Sequence, residues 1–233
     1  MLQSISKMKA DKNNSKNLSF IAYEKIKSAI LNRKLRSNEM INISLLANEL
    51  RLSRTPIREA LVMLEKDDLI IRTDNRGFSI RQFSMKDIHD IYEFRKILEK
   101  ASIKLIVANV TDENIEELSN ILERYQNAIQ NNNPEKATLG DLEFHKKLIE
   151  ICNNPMIYEA MKGCMEKLTM VGRSLVNIDL FIQSSFEHQE ILSTLKARDT
   201  NKLTKQIKEH VSNARNRRLN ILKKDMEKLY VNF

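Results

Sequence analysis

The chain contains the segment Ser53-Arg54-Thr55-Pro56-Ile57-Arg58-Glu59-Ala60-Leu61, whose pattern is typical of the beginning of a helix. Ser53 is a favourable N-cap, because its hydroxyl can accept a hydrogen bond from a free N–H of the first turn. Pro56 is tolerated only near a helix start, where its missing N–H is not needed. Apolar residues recur at helical spacing through 57–64 and predict one buried face. The same spacing leaves Arg54, Thr55 and Arg58 facing outwards.

A shorter helix is predicted just before this one. It covers Ser44–Leu50 with Ser44 as its N-cap, and Arg51-Leu52-Ser53 form the connecting turn. Such turns often contain glycine, whereas this one has Arg51. If Arg51 must adopt the left-handed conformation, the backbone strain would cost on the order of 1 kcal/mol. Two short helices joined in this way are typical of a helix-turn-helix.

A hairpin is predicted after the second helix. Strands at Leu69–Arg72 and Phe78–Ile80 flank the turn Asp74-Asn75-Arg76-Gly77, and Ile41–Ile43 can add a short strand. Together the elements predict a winged helix-turn-helix, which binds DNA with the exposed first turn of its second helix in the major groove. The alternative is an ordinary helical hairpin with a solvated basic face. The candidate DNA-binding residues are Ser53, Arg54, Thr55, Arg58, Arg76 and Gly77.

The distribution of charge supports a polyanionic partner. The chain of 233 residues has a net charge of +8. Residues 1–84 hold 16 Lys and Arg against 9 Asp and Glu, and the remainder holds 23 against 22. The excess positive charge therefore lies in the part that contains the predicted helix-turn-helix, where it can neutralise phosphates.

Composition also narrows the class of protein. The 4 Gly and 3 Pro are few, which favours a mostly helical chain long enough for two domains. The two cysteines, Cys152 and Cys164, form no metal-binding or disulfide pattern and are expected to be buried. No apolar run approaches the roughly 20 residues that cross a bilayer, and no signal peptide is evident. We therefore expect a cytoplasmic protein without membrane contact.

The expected organisation has three parts. Residues 1–18 are read as a flexible basic arm, residues 19–82 as the winged helix-turn-helix, and residues 84–228 as an all-α domain. Helical periodicity predicts about six helices in the last part, the first of them capped by Ser84 with Asp87 at capping-box spacing. The predicted fold is mostly α, with a helical bundle as the second domain.

Three of the four histidines fall on different helices of this bundle. His145 follows Asp141 by four residues, so both leave the same helix face, and His188 and His210 lie on two later helices. Imidazole and carboxylate are natural ligands of Zn²⁺, Ni²⁺ or Mn²⁺. On spacing alone, a helical histidine is more often a surface or hydrogen-bonded residue, and we expect His89 to lie at the surface.

The chain resembles GntR-family transcriptional regulators of the FadR subfamily, which carry an FCD ligand-binding domain. The first half is similar around the Ser53–Leu61 segment, although Ser44 stands where some members have a DNA-contacting arginine. The second half matches family positions at Arg95-Lys96-Ile97-Leu98-Glu99, Asp141-Leu142-Glu143-Phe144-His145, Asn154-Pro155, Glu187-His188 and His210.

The resemblance implies specific roles. Asp141, His145, His188 and His210 would be the metal ligands, and Arg95 would line the effector pocket. The alternative for Arg95 is a surface arginine paired with Glu99 one turn away. A six-helix second domain is similar to the VanR-type branch.

These observations predict a homodimeric repressor, not an enzyme, that binds a palindromic operator in double-stranded DNA and responds to a small organic acid held by the metal. One alternative is a metal-free regulator of the same fold that binds an acyl-type ligand. Another is a metal-dependent hydrolase, which would need a general base beside the metal. Glu187 and Glu143 are near the histidines only in sequence, and helical geometry is expected to turn them away from the metal.

Overall fold

The computed structural model describes the backbone of residues 2–32, 34–35, 40–73, 77–172 and 178–231, and the side chains of residues 17–32, 34–35, 40–73, 77–171 and 178–223. The chain divides into two compact units, Met1–Gln82 and Phe83–Phe233. Within the described residues it is mostly helical, with one two-stranded sheet in the first unit. The predicted fold class is confirmed.

The first unit packs helices against a small antiparallel sheet. In the sheet Ile70 lies opposite Ile80, and Thr73 lies opposite Gly77. The helical stripe predicted from the sequence is fully buried, because it forms the centre of this unit's core together with residues of the first helix and the strands. The elements are α1 (Leu2–Leu31), α2 (Ile43–Leu50), α3 (Arg54–Lys66), β1 (Ile70–Thr73) and β2 (Gly77–Ile80).

Capping of the two central helices differs from the prediction. The N-cap of α2 is Asn42, whose side chain accepts from the backbone N of Leu45 at 3.0 Å, so the prediction of Ser44 was wrong. Asparagine is as good an N-cap as serine, and capping two residues earlier gives α2 another half turn. Ser53 does occupy the N-cap of α3, but its hydroxyl makes no capping hydrogen bond. Arg51 adopts the left-handed conformation with φ of 54°, as the turn demands.

Three other predictions fall at the edges of this unit. The backbone of α1 begins at Leu2, well before the predicted start at Ser19, and the side chains of residues 1–16 lie outside the described residues. A DNA-contacting role for the basic arm therefore stays a prediction. The strand predicted at 41–43 is reduced to a bridge between Met40 and Ser79, because α2 already begins at Ile43.

The second unit consists of six helices in the part of the chain that the structure describes, as predicted. Ser84 and Asp87 form a full capping box at the start of the first, and Thr111 caps the second in the same way with Asn114. The helices are α4 (Met85–Asn109), α5 (Asp112–Gln130), α6 (Pro134–Ile151), α7 (Pro155–Gly172), α8 (Asp179–Lys196) and α9 (Thr200–Val231).

One close helix contact sets the position of α6. Gly140 faces Tyr125 of α5, and a Cβ built at Gly140 would lie 2.8 Å from the Tyr125 Cβ. The Tyr125 ring is fully buried, and its hydroxyl donates to the Phe181 carbonyl oxygen at 3.1 Å. Because Gly140 lacks a side chain, α6 lies close enough to α5 for its next turns to reach the centre of the bundle.

Candidate functional site

The outward face of α3 carries the predicted DNA-binding side chains. Ser53, Arg54, Thr55 and Arg58 are all exposed, whereas Ile57 on the opposite face is fully buried. Neither arginine has an ion-pair or hydrogen-bond partner among the described residues. The first turns of α3 therefore present two free guanidinium groups and a hydroxyl to solvent, next to the positive end of the helix dipole.

The wing is described only in part. Gly77 has φ of 95°, a left-handed conformation that other residues rarely adopt, and it is the first residue of β2. The positive φ at this position accounts for the glycine without any contact with DNA. Arg76 lies outside the described residues, so its predicted contact with DNA stays a prediction.

Three imidazoles meet inside the second unit. His145 of α6, His188 of α8 and His210 of α9 are at most 2% exposed. Their Nε2 atoms form a nearly equilateral triangle, with separations of 3.1 Å for 145–188, 3.1 Å for 145–210 and 3.3 Å for 188–210. The sequence prediction placed these residues on three helices, and the fold brings all three together.

The fourth predicted ligand lies beside this triangle. Asp141 Oδ1 is 3.7 Å from the Nε2 of His188, and its side chain is 21% exposed. It leaves α6 one turn before His145, as the spacing of four residues requires. The carboxylate therefore lies on the same side of α6 as His145, and it is slightly further from His188 Nε2 than the other two imidazole nitrogens are.

The environment favours the neutral form of His188 and His210. Burial lowers the pKa of His188 well below its ordinary value, and the neighbouring His210 and His145 lower it further. Burial likewise lowers the pKa of His210, although its hydrogen bond to Glu187 opposes the shift. Neutral imidazole is the form that binds a metal, because one ring nitrogen then has a free lone pair.

The donor geometry fits a divalent transition metal. Two nitrogen ligands at about 2.0–2.1 Å from one metal are roughly 2.8–3.4 Å apart, from neighbouring ligands in octahedral coordination to ligands in tetrahedral coordination. The Nε2 separations of 3.1–3.3 Å lie in that interval. Three converging lone pairs repel one another unless a cation lies between them, so the cluster suits an ion such as Zn²⁺, Ni²⁺ or Mn²⁺.

Two glutamates lie behind the imidazoles, Glu99 buried and Glu187 half-buried. Glu187 Oε2 accepts from His210 Nδ1 at 2.7 Å, and Glu99 Oε1 lies 3.3 Å from His145 Nδ1. The hydrogen bond to Glu187 puts the ring proton of His210 on Nδ1 and leaves its Nε2 free. The contact of His145 with Glu99 is at ion-pair distance, and His145 Nδ1 has no hydrogen-bond partner among the described residues. Hydrogen bonds and charge from Arg217 and His210 lower the pKa of Glu187 to about 2, although its partial burial acts in the opposite direction. Glu187 accepts from His210 Nδ1, on the side of that ring away from the Nε2 triangle, so it does not face the proposed metal position. Glu143 is exposed and pairs with Arg124 at 3.1 Å.

Arg95 lies inside the bundle, 3% exposed. Its Nε donates to Glu99 Oε1 at 2.6 Å, so the predicted pairing with Glu99 is present. The alternative prediction, that Arg95 is a surface arginine, is wrong because the side chain is buried. Its Nη2 is buried without a hydrogen-bond partner among the described residues. Burial opposes a charged guanidinium, yet Glu99 and Asp141 outweigh that effect and raise its pKa. A buried donor left free in this way suits an anionic ligand.

The remaining sequence expectations concern residues away from this cluster. His89 is exposed, as expected, and both Cys152 and Cys164 are buried and unpaired. Burial raises the pKa of the Cys164 thiol to about 12, which keeps it unreactive. Among the described residues, no helix combines the length and apolar character that a bilayer crossing needs.

Comparison with known families identifies both units. Residues 20–80 match the model of bacterial regulatory proteins of the gntR family, and residues 90–213 match the FCD domain. The chain belongs to the GntR family. Its histidine cluster therefore lies within an FCD domain. The family consists of transcriptional regulators and not of enzymes. The prediction that the chain is a regulator and not an enzyme is therefore confirmed, which argues against the hydrolase alternative.

Relatives with known names agree with this assignment. The chain is 34% identical over 133 residues to the uncharacterized HTH-type transcriptional regulator YdhC of Bacillus subtilis, a match that covers 57% of the chain and 59% of YdhC. It is 26% identical over 188 residues to the gluconate operon transcriptional repressor of Bacillus licheniformis, which covers 78% of the chain and 77% of that repressor. The chain thus spans less than two thirds of YdhC.

A solved structure shows the same fold. Escherichia coli McbR/YncC superposes with a TM-score of 0.75 and 20% sequence identity, over 90% of this chain and 98% of that one. At this level of identity the likeness concerns the arrangement of helices and strands. It is consistent with a GntR winged helix followed by an FCD bundle.

Proposed function

We propose that this chain is a ligand-responsive, homodimeric repressor that binds operator DNA through its first unit and a metal-held organic acid through its second. The observation that supports DNA binding most directly is that Arg54 and Arg58, at the start of α3, face outwards and have no partner among the described residues. An exposed arginine without a partner retains all five N–H donors for an external acceptor.

The proposed contacts divide by chemistry. Arg54 reads a guanine in the major groove, because a planar guanidinium matches the O6 and N7 acceptors bidentately. Arg58, with Ser53 or Thr55, binds phosphates and fixes the register, and Arg76 with Gly77 contacts the minor groove or the backbone. Two copies together bind a palindrome. Such a regulator works in the cytoplasm, where its DNA is.

Replacing Arg54 with alanine tests this division. We expect Arg54→Ala to weaken binding to the preferred sequence by about 1–3 kcal/mol and to relax selectivity at one base. Arg58→Ala should instead weaken all sequences alike and reduce the salt dependence of binding. The measurement is selection of bound sequences from random duplex DNA, followed by titration at several salt concentrations.

Arg124→Ala is the control for that test, because Arg124 is an exposed arginine of the second unit. It should leave DNA binding unchanged. An Arg54→Ala protein that lost affinity equally for every sequence would contradict the assigned role of Arg54, and a native protein with no sequence preference would contradict the proposed function.

In the second unit, Asp141, His145, His188 and His210 would hold a divalent transition metal. The metal would supply a fixed positive charge with open coordination positions for the carboxylate of a small organic acid. Arg95 would bind the same anion through its free Nη2. Because buried anions are stable only beside such charges, the pocket would favour small acids over neutral ligands.

Metal content and calorimetry test this proposal. The purified protein is expected to contain about one metal per chain, and the metal-loaded form should release heat with a small carboxylate while the metal-free form does not. For the response to reach DNA, the acid must bind one arrangement of the dimer more tightly than another. No heat from any tested carboxylate would contradict the effector class.

The metal-free alternative has one observation in its favour. An apolar groove of about 220 Å³ lies between α6 and α7. It is lined by Leu139, Leu142, Ile149, Tyr158, Met161 and Met165. An acyl chain could fill such a groove, but the histidine cluster would then have no role. Protein that contains no metal, and gains none on addition of Zn²⁺, Ni²⁺ or Mn²⁺, would favour this alternative.

The exposed side of α4 supports a homodimer. Ile97 is 62% exposed, and it lies in a row with Phe94, Ala101 and Leu105 at spacings of three and four residues. An apolar row with helical spacing normally packs against another helix. No other helix of the described chain covers these side chains, so a second copy can supply the covering helix.

Ile97→Glu is expected to raise the dimer dissociation constant at least tenfold, because a carboxylate would be buried in the apolar contact. Sedimentation at several protein concentrations measures the effect. Phe186→Glu on α8 is the matched control, since Phe186 is 58% exposed and should leave the dimer intact. Native protein that sediments as a monomer, or an Ile97→Glu dimer of unchanged strength, would contradict this surface.

A further inference from the structure

The two glutamates behind the imidazoles are held very differently. Glu187 accepts from four donors: Arg217 Nη1 at 2.9 Å and Asn213 at 3.1 Å on Oε1, and Arg217 Nη2 at 2.8 Å and His210 at 2.7 Å on Oε2. Glu99 has Arg95 and His145 on Oε1, while its Oε2 has no hydrogen-bond partner among the described residues. Only Glu187 is fixed at both oxygens.

Arg217 is held in place by hydrogen bonds to two residues of α8. Its two terminal nitrogens grip both oxygens of Glu187, and Nη2 also donates to Ser184 Oγ at 2.8 Å. Glu187 and Ser184 lie on α8, and Arg217 and His210 lie on α9. The cluster therefore joins two of the three helices that carry imidazoles.

We propose that Glu187 is the positioning residue of the metal centre, and that Arg217 acts on the metal only through Glu187. The carboxylate fixes the His210 ring with its proton on Nδ1 and its Nε2 lone pair directed at the triangle. Hydrogen-bonded partners of this kind hold a metal-binding histidine in its binding orientation and increase its basicity. This inference rests on the proposed metal centre.

The chain supplies matched glutamates for a test. Glu187→Gln keeps the size of the side chain but removes its charge and one acceptor for His210. Glu143→Gln makes the same change on α6 at an exposed position, two residues before His145. Glu99→Gln removes the charge from the other glutamate, which lies behind His145 and has hydrogen-bond partners at fewer of its oxygens.

The experiment measures Co²⁺ affinity of the full chain by competition with a chelator, and the visible absorption of bound Co²⁺. Glu187→Gln is expected to lower affinity about 10- to 100-fold and to change the Co²⁺ spectrum. Glu99→Gln should have a smaller effect, and Glu143→Gln none. Thermal unfolding of each metal-free protein checks that the fold is retained.

A double-mutant cycle tests the route through which Arg217 acts. Arg217→Gln alone is expected to lower Co²⁺ affinity, whereas adding it to Glu187→Gln should cause little further loss, because the contact it acts through is already gone. Fully additive losses, or a Glu187→Gln protein with native affinity and spectrum, would overturn the inference. Native protein that binds no Co²⁺ would instead contradict the proposed metal centre itself.

Discussion

His188→Gln is expected to lower the affinity of the protein for Zn²⁺ by roughly 100- to 1000-fold. Among the three imidazoles of the proposed site, His188 is the one whose Nε2 also lies near the fourth proposed ligand, 3.7 Å from Asp141 Oδ1 and within 3.3 Å of both other Nε2 atoms. A structural zinc site contributes on the order of 10 kcal/mol, and loss of one of four ligands removes a substantial part of it. Glutamine roughly preserves the volume but offers a much weaker ligand.

The position of His188 makes compensation difficult. Its ring stacks on Phe144, with centroids 4.3 Å apart, and it is fully buried. Water therefore has little room to replace the missing nitrogen. His89→Gln is the matched control, since His89 is exposed and lies on α4 away from the triangle. Competition with a chromophoric chelator gives both affinities. A His188→Gln protein with native Zn²⁺ affinity would contradict the proposed ligand set.

Much of this architecture could be predicted because its signals are local. The capping box of Ser84 and Asp87 lies within a single turn, and so does the pair Asp141 and His145. Apolar periodicity likewise determines which side of α3 is buried and which side Arg54 presents. Each of these features depends on residues no more than a few positions apart.

Features that depend on contacts between helices could not be predicted from spacing. Glu187 lies 23 residues from His210 and 30 from Arg217, so nothing in the sequence pairs them before α8 and α9 pack together. The burial of Arg95 has the same origin, since one helix alone does not reveal which charged residue its neighbours will cover. The Asn42 cap was missed for another reason: asparagine and serine are nearly equivalent N-caps, and both occur within three residues.

We also expect the proposed metal centre to depend on helix packing beside its ligands, and Gly140 tests that dependence. Gly140→Ala is expected to lower the midpoint of thermal unfolding by several degrees. Alanine is the better helix former by about 1 kcal/mol, but its Cβ would meet the Tyr125 Cβ at 2.8 Å and the Tyr125 Cα at 3.1 Å. Overpacking of this kind costs about 1–3 kcal/mol and sometimes more, so the loss outweighs the gain.

Gly163→Ala on α7 provides a control of opposite sign. A Cβ there meets nothing within 4 Å, so only the gain in helix propensity remains and the unfolding midpoint should rise. Gly140 directly precedes Asp141 and lies five residues before His145, so relief of the clash by moving α6 would also displace two proposed ligands. Gly140→Ala should therefore weaken Zn²⁺ binding as well, whereas Gly163→Ala should not. If both substitutions stabilised the protein equally, the close contact between α5 and α6 would not constrain the bundle, and the metal site would not depend on it.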